Sequence, residues 1–159
     1  GRGGETRQQS VRLGLEQLAA HGPAQVLIHD AARPLLPAGM IDRVLDGLSD
    51  APGSCPALPL VDSLRRGADH VEGEIPRDGL WRAMTPQMFR YGTLARALDE
   101  AIASGHAPDD EATAIERLGL QPRLVEGSPV NIKVTHPADL APNEGAPSEG
   151  RRVFIYLWK

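Results

Sequence analysis

The chain has 159 residues, of which 41% are hydrophobic and 24% charged, enough for one globular domain with a core of its own. The net charge of −4, the scattered basic residues and the 4% of aromatics argue against a nucleic-acid partner, and no apolar run approaches the ~20 residues of a membrane span. Cys55 is the only cysteine, which excludes an internal disulfide and favours a reducing, cytoplasmic location.

The first half of the chain alternates helical and strand patterns. Apolar residues at helical spacing predict a helix in TRQQSVRLGLEQLAAHG that stops near Gly22, and a second helix in AGMIDRVLDGLSD. The almost wholly apolar QVLIH and CPALPLV are typical of parallel strands covered on both faces. Strand, helix and strand in succession indicate a right-handed βαβ unit, and hence an α/β sheet.

The stretch from about 62 to 80 is polar and turn-rich, and predicts a projecting hairpin arm that turns at Gly67–Asp69 or at Glu72–Glu74. Further on, YGTLARALDEAIASG and DDEATAIERLG predict helices, PRLVEG and NIKVT predict strands, and HPADL predicts a helix that starts near Pro137. We expect one domain over residues 1–140. Residues 141–159 form an atypical linker and tail that end in an apolar stub, VFIYLWK.

Several side chains are of types that carry chemistry. Asp30 follows a strand at the end where open parallel sheets bind ligands, but it could equally cap the next turn and pair with Arg33. Lys133 in NIKVT is more simply a solvent-facing strand residue, although in a site its ammonium would stabilise charge on a phosphate. Arg77 and Thr85 could hold a phosphate, each as a weak signal.

Other classes of site are poorly supported. The glycines of GRGGETRQQS form neither a P-loop nor a dinucleotide motif, although Gly4 would let a backbone approach a ligand and Ser10 could cap a helix. The five histidines lack zinc spacing, so a metal held only by protein ligands is not expected. There is no Gly-x-Ser-x-Gly elbow, and Cys55 lies in a core strand, which argues against covalent catalysis.

A specific resemblance comes from phrases that follow one another in order: GGETRQQSVRLGL, VLIHDAARPLL, VDSLRR, RDGLWRAMTPQMF, DDEATAIERLG and VEGSPVNIKVTHPADL. From about Gly3 to Leu140 the chain resembles the 2-C-methyl-D-erythritol 4-phosphate cytidylyltransferases of non-mevalonate isoprenoid biosynthesis. The resemblance implies a Rossmann-like α/β nucleotidyltransferase sheet with helices on both faces, and a homodimer made through the arm. It also implies that the substrate phosphate attacks the α-phosphorus of CTP and releases pyrophosphate, with Mg²⁺ bridging the nucleotide phosphates.

The resemblance also implies roles for matching positions. Those that fall beside the nucleotide are Gly4, Glu5, Ser10, Asp30 and Ala31, the first three where the family recognises cytosine. Lys133 matches a lysine near the reacting phosphates, which makes Lys133 and Asp30 the expected catalytic residues, with Arg33 supporting the Asp30 loop. The positions that match substrate-binding residues are Arg77, Thr85, Ser63 and Asp109, those on the arm reaching the substrate of the neighbouring subunit.

Three departures from the family pattern limit what is carried over. The family begins with a strand and a Gly-rich loop that holds the triphosphate, so we interpret the chain as N-terminally truncated and expect weak CTP affinity and turnover from it alone. Ser63 and Asp109 replace usual threonines: the serine retains the hydroxyl, whereas Asp109 adds negative charge near a phosphate. The tail after Leu140 does not continue the family's final helix.

Two alternatives stay open from the sequence. RDGLW and TPQ do not settle which polyol phosphate binds, so a ribitol 5-phosphate cytidylyltransferase is possible. The chain could also be an inactive fragment that acts only as a folded, dimerising module. In either case, the missing first strand is expected to leave an unpaired position in the sheet, which favours aggregation.

Overall fold

A computed structural model describes residues 4–106, 108–136 and 138–139, and the backbone of residues 153–158. Its helices and strands, in chain order, are α1 (Arg7–Ala19), β1 (Gln25–Asp30), α2 (Ala38–Asp46), β2 (Gly53–Pro59), β3 (Leu64–Gly67), β4 (Val71–Ile75), β5 (Trp81–Ala83), β6 (Gln87–Arg90), α3 (Tyr91–Ala103), α4 (Glu111–Arg117), β7 (Arg123–Glu126) and β8 (Val153–Trp158). The predicted elements from α1 to β7 are confirmed, whereas β5 and β6 were not predicted. Within the described ranges, no helix combines the length and hydropathy that crossing a membrane requires.

One mixed sheet forms the centre of the fold. β1 pairs antiparallel with β6 along one edge and with β8 along the other. β2 pairs antiparallel with β6 and β5 and parallel with β7. Strands β1 and β2 therefore run in the same direction with β6 between them, as two antiparallel pairings require. The prediction that β1 has parallel neighbours is wrong, since β6 enters the sheet between the two strands of the βαβ unit.

Helices cover both faces of the sheet, as predicted. On one face, Val26 and Ile28 of β1 pack with Phe89 and with buried side chains of α1, α3 and α4. On the other face, Leu27 and Met88 pack against α2. The alternation along β1 explains why its sequence is apolar throughout. Cys55 lies in this core, where burial raises the pKa of its thiol to about 12, which agrees with a packing role.

The arm is a two-stranded hairpin of β3 and β4, which pair with each other and with no other described strand. Its turn spans residues 68–70, which agrees with the first of the two predicted positions. Val61 and Val71 are 73% and 70% exposed. The arm therefore adds little to the core of its own chain.

Three predictions in the last third fare differently. NIKVT is not a strand: residues 131–135 are irregular, and Val134 N–H donates to the Ala32 carbonyl at 2.8 Å without a ladder. The predicted start of a helix at Pro137 and residues 141–152 of the predicted linker and tail lie outside the described residues. The apolar stub contains β8, and because β8 pairs with β1, the open position expected in the sheet is not found beside β1.

Candidate active site

Two clefts meet at the carboxyl end of β1. The larger, of about 800 Å³, is lined on one side by the loop before α1 and on the other by residues 133–136. The smaller, of about 180 Å³, lies over β5, β6 and the start of α4. Arg7, Asp30 and Lys133 line both clefts, so these three side chains form the wall between them.

Asp30 is paired with a different cation at each carboxylate oxygen. Arg7 Nε and Nη2 both lie 3.3 Å from Oδ1, and Lys133 Nζ lies 3.2 Å from Oδ2. Burial by itself would raise the pKa of Asp30, but Arg7 and then Lys133 outweigh it, so the pKa lies below its usual range. Asp30 is therefore a fixed anion. Its carboxylate pairs with Arg7 and Lys133, whereas the turn interpretation had it pair with Arg33.

Arg7 begins α1, where Thr6 caps the helix and Gln9 completes a capping box. A cation in the first turn is disfavoured by the helix dipole, so this position needs nearby anions. Besides Asp30, Arg7 binds both oxygens of Glu111, with Nη1–Oε1 at 2.5 Å and Nη2–Oε2 at 2.8 Å. Burial would lower the pKa of Arg7, but its bonds to Glu111 and Asp30 raise it, so the guanidinium stays charged.

Glu111 is only 1% exposed and lies in the first turn of α4. Burial raises the pKa of Glu111, and the Arg7 fork offsets part of that effect. The start of α4 is held from two sides: Asp110 caps the Thr113 N–H at 2.9 Å, and Gln87 of β6 bonds both Asp110 and the Ala112 N–H. This bonding places the Glu111 carboxylate against Arg7.

A buried chain of hydrogen bonds holds the backbone of Asp30 in place. The Asp30 N–H donates to Thr85 Oγ1 at 3.0 Å, and that hydroxyl lies 3.1 Å from His29 Nδ1. His29 Nε2 lies 3.0 Å from the Arg33 carbonyl, which can only accept. Nε2 therefore carries the proton, and Nδ1 accepts from Thr85. Burial lowers the pKa of His29, which agrees with this neutral tautomer.

The loop that carries Lys133 is tied to the same support. Arg33 Nη1 donates to the Asn131 carbonyl at 2.8 Å, and Asn131 Nδ2 donates to the Thr85 carbonyl at 2.7 Å. Arg33 thus holds the loop that carries Asn131 and Lys133, whereas the resemblance implied that it supports the Asp30 loop. NIKVT is irregular, and these hydrogen bonds hold it in place instead of the strand ladder that was expected.

Gly4, Glu5 and Ser10 line the larger cleft, as a nucleotide site there would require. The Gly4 N–H donates to Ser10 Oγ at 3.0 Å, and a Cβ on Gly4 would lie 2.3 Å from the Gln9 Cβ. The tight loop before α1 therefore accepts only glycine at this position. Ala31 follows Asp30 in the turn, next to the cleft-lining Ala32.

The residues expected to bind the substrate are divided between two places. Thr85 and Asp109 line the smaller cleft, although Thr85 is 4% exposed and its hydroxyl is used internally. Ser63 and Arg77 line a separate groove at the base of the arm, and Arg77 Nη1 donates to the Val61 carbonyl. Within one chain, the structure does not bring the arm residues to Asp30.

Sequence reasoning missed three residues of the network around Asp30: Arg7, Glu111 and Asn131. Arg7 carried a detectable signal, because an arginine at the first position of a helix opposes the helix dipole. Glu111 did not, since an acidic residue in the first turn of a helix needs no further explanation.

Known proteins provide independent comparisons. The family model of 2-C-methyl-D-erythritol 4-phosphate cytidylyltransferase matches residues 2–146. Curated proteins of that name from Cupriavidus pinatubonensis and Laribacter hongkongensis are 48% and 51% identical, each match covering 87% of this chain. The crystal structure of the Thermus thermophilus enzyme superposes with a TM-score of 0.82 at 35% identity, covering 88% of this chain and 68% of that one.

The matches cover 61% and 60% of these two curated relatives, so the chain spans about three fifths of their length. Since the family model matches nearly the whole segment before the tail, and the solved relative shares the fold, the chain belongs to the 2-C-methyl-D-erythritol 4-phosphate cytidylyltransferase family.

Proposed function

We propose that the protein of which this chain forms part joins CMP from CTP to 2-C-methyl-D-erythritol 4-phosphate, giving 4-diphosphocytidyl-2-C-methyl-D-erythritol and pyrophosphate for isoprenoid precursors. Membership of the family supports the reaction. The observation that carries the proposal is the wall between the clefts, where Asp30 is held between Arg7 and Lys133. A nucleotide in the larger cleft and a polyol phosphate in the smaller one would meet at this wall.

Lys133 is the group on this wall best suited to bind a reacting phosphate. Its side chain is 46% exposed and pairs with Asp30, so its ammonium can turn to an incoming anion on a flexible stem. Charge stabilisation of this kind is effective where charge develops in the transition state. Asp30 holds Lys133 at this wall before the anion binds.

Each cleft offers groups of the right chemistry for one substrate. In the larger cleft, the backbone near Gly4 and the side chains of Glu5 and Ser10 provide the polar groups that an amino-pyrimidine ring would bind. In the smaller cleft, Asp109 can accept hydrogen bonds from polyol hydroxyls. We assign the cytidine to the larger cleft and the polyol phosphate to the smaller one.

Mg²⁺ fits this site as an ion that the nucleotide brings. Among the described residues, no group of three or more His, Cys, Asp or Glu side chains could hold a metal. Asp30, the carboxylate shared by both clefts, already pairs with a cation at each oxygen. Mg²⁺ usually keeps several waters and binds substrate phosphates, and it would supply charge neutralisation there.

A homodimer made through the arm would complete the substrate site. Val71 on the arm and Val61 just before the arm are both exposed, which suits an interface. Ser63 and Arg77 lie at its base, away from Asp30 of the same chain. A neighbouring arm could deliver both side chains to the smaller cleft, which accounts for their position.

The test measures pyrophosphate release from CTP and Mg²⁺ by the full gene product and by the 159-residue chain, with either polyol phosphate added. We expect the full product to require 2-C-methyl-D-erythritol 4-phosphate, because the relatives compared are named for it. A preference for ribitol 5-phosphate would establish the other cytidylyltransferase. No release by a folded full product would favour the non-catalytic alternative.

A further inference from the structure

Arg7 differs from the other cation beside Asp30 in how it is held. We propose that Arg7, anchored by the buried Glu111, is a positioning residue that fixes Asp30 and keeps its charge paired when Lys133 turns to an anionic ligand. The inference rests on the proposed function in one respect, namely that an anionic ligand enters the clefts. The contacts of Arg7 with Asp30 and Glu111, and of Lys133 with Asp30, carry the rest.

The guanidinium of Arg7 is almost fully used inside the protein. Arginine has five N–H donors in a rigid fork. Nε donates to Asp30, Nη1 donates to Glu111, and Nη2 donates to both carboxylates, which occupies four of the five. A guanidinium bound in this way has little left to offer a phosphate. Its position on the cleft wall is therefore explained by what it holds.

The anchor of this fork does not move with the ligand. Glu111 is 1% exposed, and the turn that carries it is fixed by Asp110 and by Gln87 of the central sheet. Lys133 contrasts in each respect: it is half-exposed, lies in an irregular loop and contacts Asp30 through one amine. Of the two cations, Arg7 is the one that stays.

The two cations also use different oxygens of Asp30. Arg7 binds Oδ1 and Lys133 binds Oδ2, so the departure of Lys133 removes none of the bonds that Arg7 makes. Asp30 would otherwise be left as a poorly solvated, unpaired carboxylate facing an anionic ligand, which is unfavourable. With Arg7 in place, Lys133 is released without that penalty.

The first test follows the titration of the Asp30 carboxyl carbon by nuclear magnetic resonance in the 159-residue chain. Arg7→Lys keeps the positive charge that Glu111 needs but loses the fork, whereas Lys133→Met imitates the departed lysine. We expect Arg7→Lys to raise the pKa of Asp30 more than Lys133→Met does. A larger rise in Lys133→Met, or an unchanged titration in Arg7→Lys, would overturn the proposal.

The second test follows the Nη–H signal of Arg7, because it is the Nη groups that donate to Glu111. We expect a sharp signal protected from exchange in the wild type, and loss of that protection in Glu111→Gln. Asp99→Asn is the matched control, because Asp99 binds Nε of Arg12 on the same helix at 2.5 Å, and it should leave Arg7 protected. Persistence of the Arg7 signal in a folded Glu111→Gln variant would refute the anchoring role.

If Glu111→Gln does not fold, the comparison of Arg7→Lys with Lys133→Met decides alone. Neither test requires turnover, so failure of the cytidylyltransferase proposal would appear in the pyrophosphate assay and leave these signals as they are. Conversely, an active enzyme whose Asp30 titrates normally in Arg7→Lys would retain the proposed function and lose this inference.

Discussion

The substitution Lys133→Ala separates a catalytic lysine from a structural one. Its ion pair with Asp30 spans 3.2 Å, but the lysine is 46% exposed, and pairs of this kind contribute at most about 1 kcal/mol to stability. Asp30 retains Arg7, which limits the loss further. Removal of a group that stabilises transition-state charge lowers turnover by about 10²–10³-fold, equivalent to about 2.7–4 kcal/mol. We therefore expect a much larger effect on turnover than on folding.

The assay pairs pyrophosphate release with urea unfolding of the same protein preparation. Arg123→Ala is the matched control: Arg123 is also 46% exposed and pairs with Asp50 at 2.6 Å, and neither residue lines either cleft, so turnover should not change. Equal free-energy losses in turnover and folding for Lys133→Ala would refute the reasoning. So would an equal loss of turnover in the Arg123 control.

Three further predictions concern other parts of the molecule. Burial lowers the pKa of His29, so below the usual value of about 6.5 the unfolded chain takes up a proton that the folded chain does not. The free energy of unfolding should therefore fall as the pH drops from 7 toward 5, and it should fall less steeply in His29→Gln. Urea unfolding at each pH would check this. Arg77→Ala should raise the KM for the polyol phosphate without loss of stability, and an unchanged KM would argue against contact with substrate. Deletion of residues 153–159 should speed amide exchange in β1 and promote self-association, measured by hydrogen exchange and light scattering; unchanged exchange would contradict the β1–β8 pairing.

Local pattern was sufficient to predict most helices and strands. The apolar run in β1 predicted burial on both faces, and the polar stretch with its turn residues predicted the arm. The order of strands was not accessible in the same way, because the antiparallel insertion of β6 between β1 and β2 depends on contacts between distant segments. NIKVT shows the limit of pattern: its alternation is that of a strand, but its backbone makes no ladder.

Some residues of the site could be predicted from the sequence and others could not. Asp30 and Lys133 were selected from the sequence, and the structure places them in contact. The Arg7–Glu111 pair joins residues 104 positions apart, and only the packing of α4 against the sheet brings them together. Thr85 was expected to bind substrate, but its burial and its bond to His29 depend on tertiary packing that residue type does not reveal.

The central claim is that this site joins a cytidylyl group to a polyol phosphate, and ³¹P nuclear magnetic resonance of the full gene product tests it most directly. With CTP, Mg²⁺ and 2-C-methyl-D-erythritol 4-phosphate, we predict that diphosphate-diester signals and pyrophosphate appear one for one, and that Asp30→Asn suppresses both. Unchanged CTP, or hydrolysis of CTP to CMP that does not depend on the polyol phosphate, would contradict the claim.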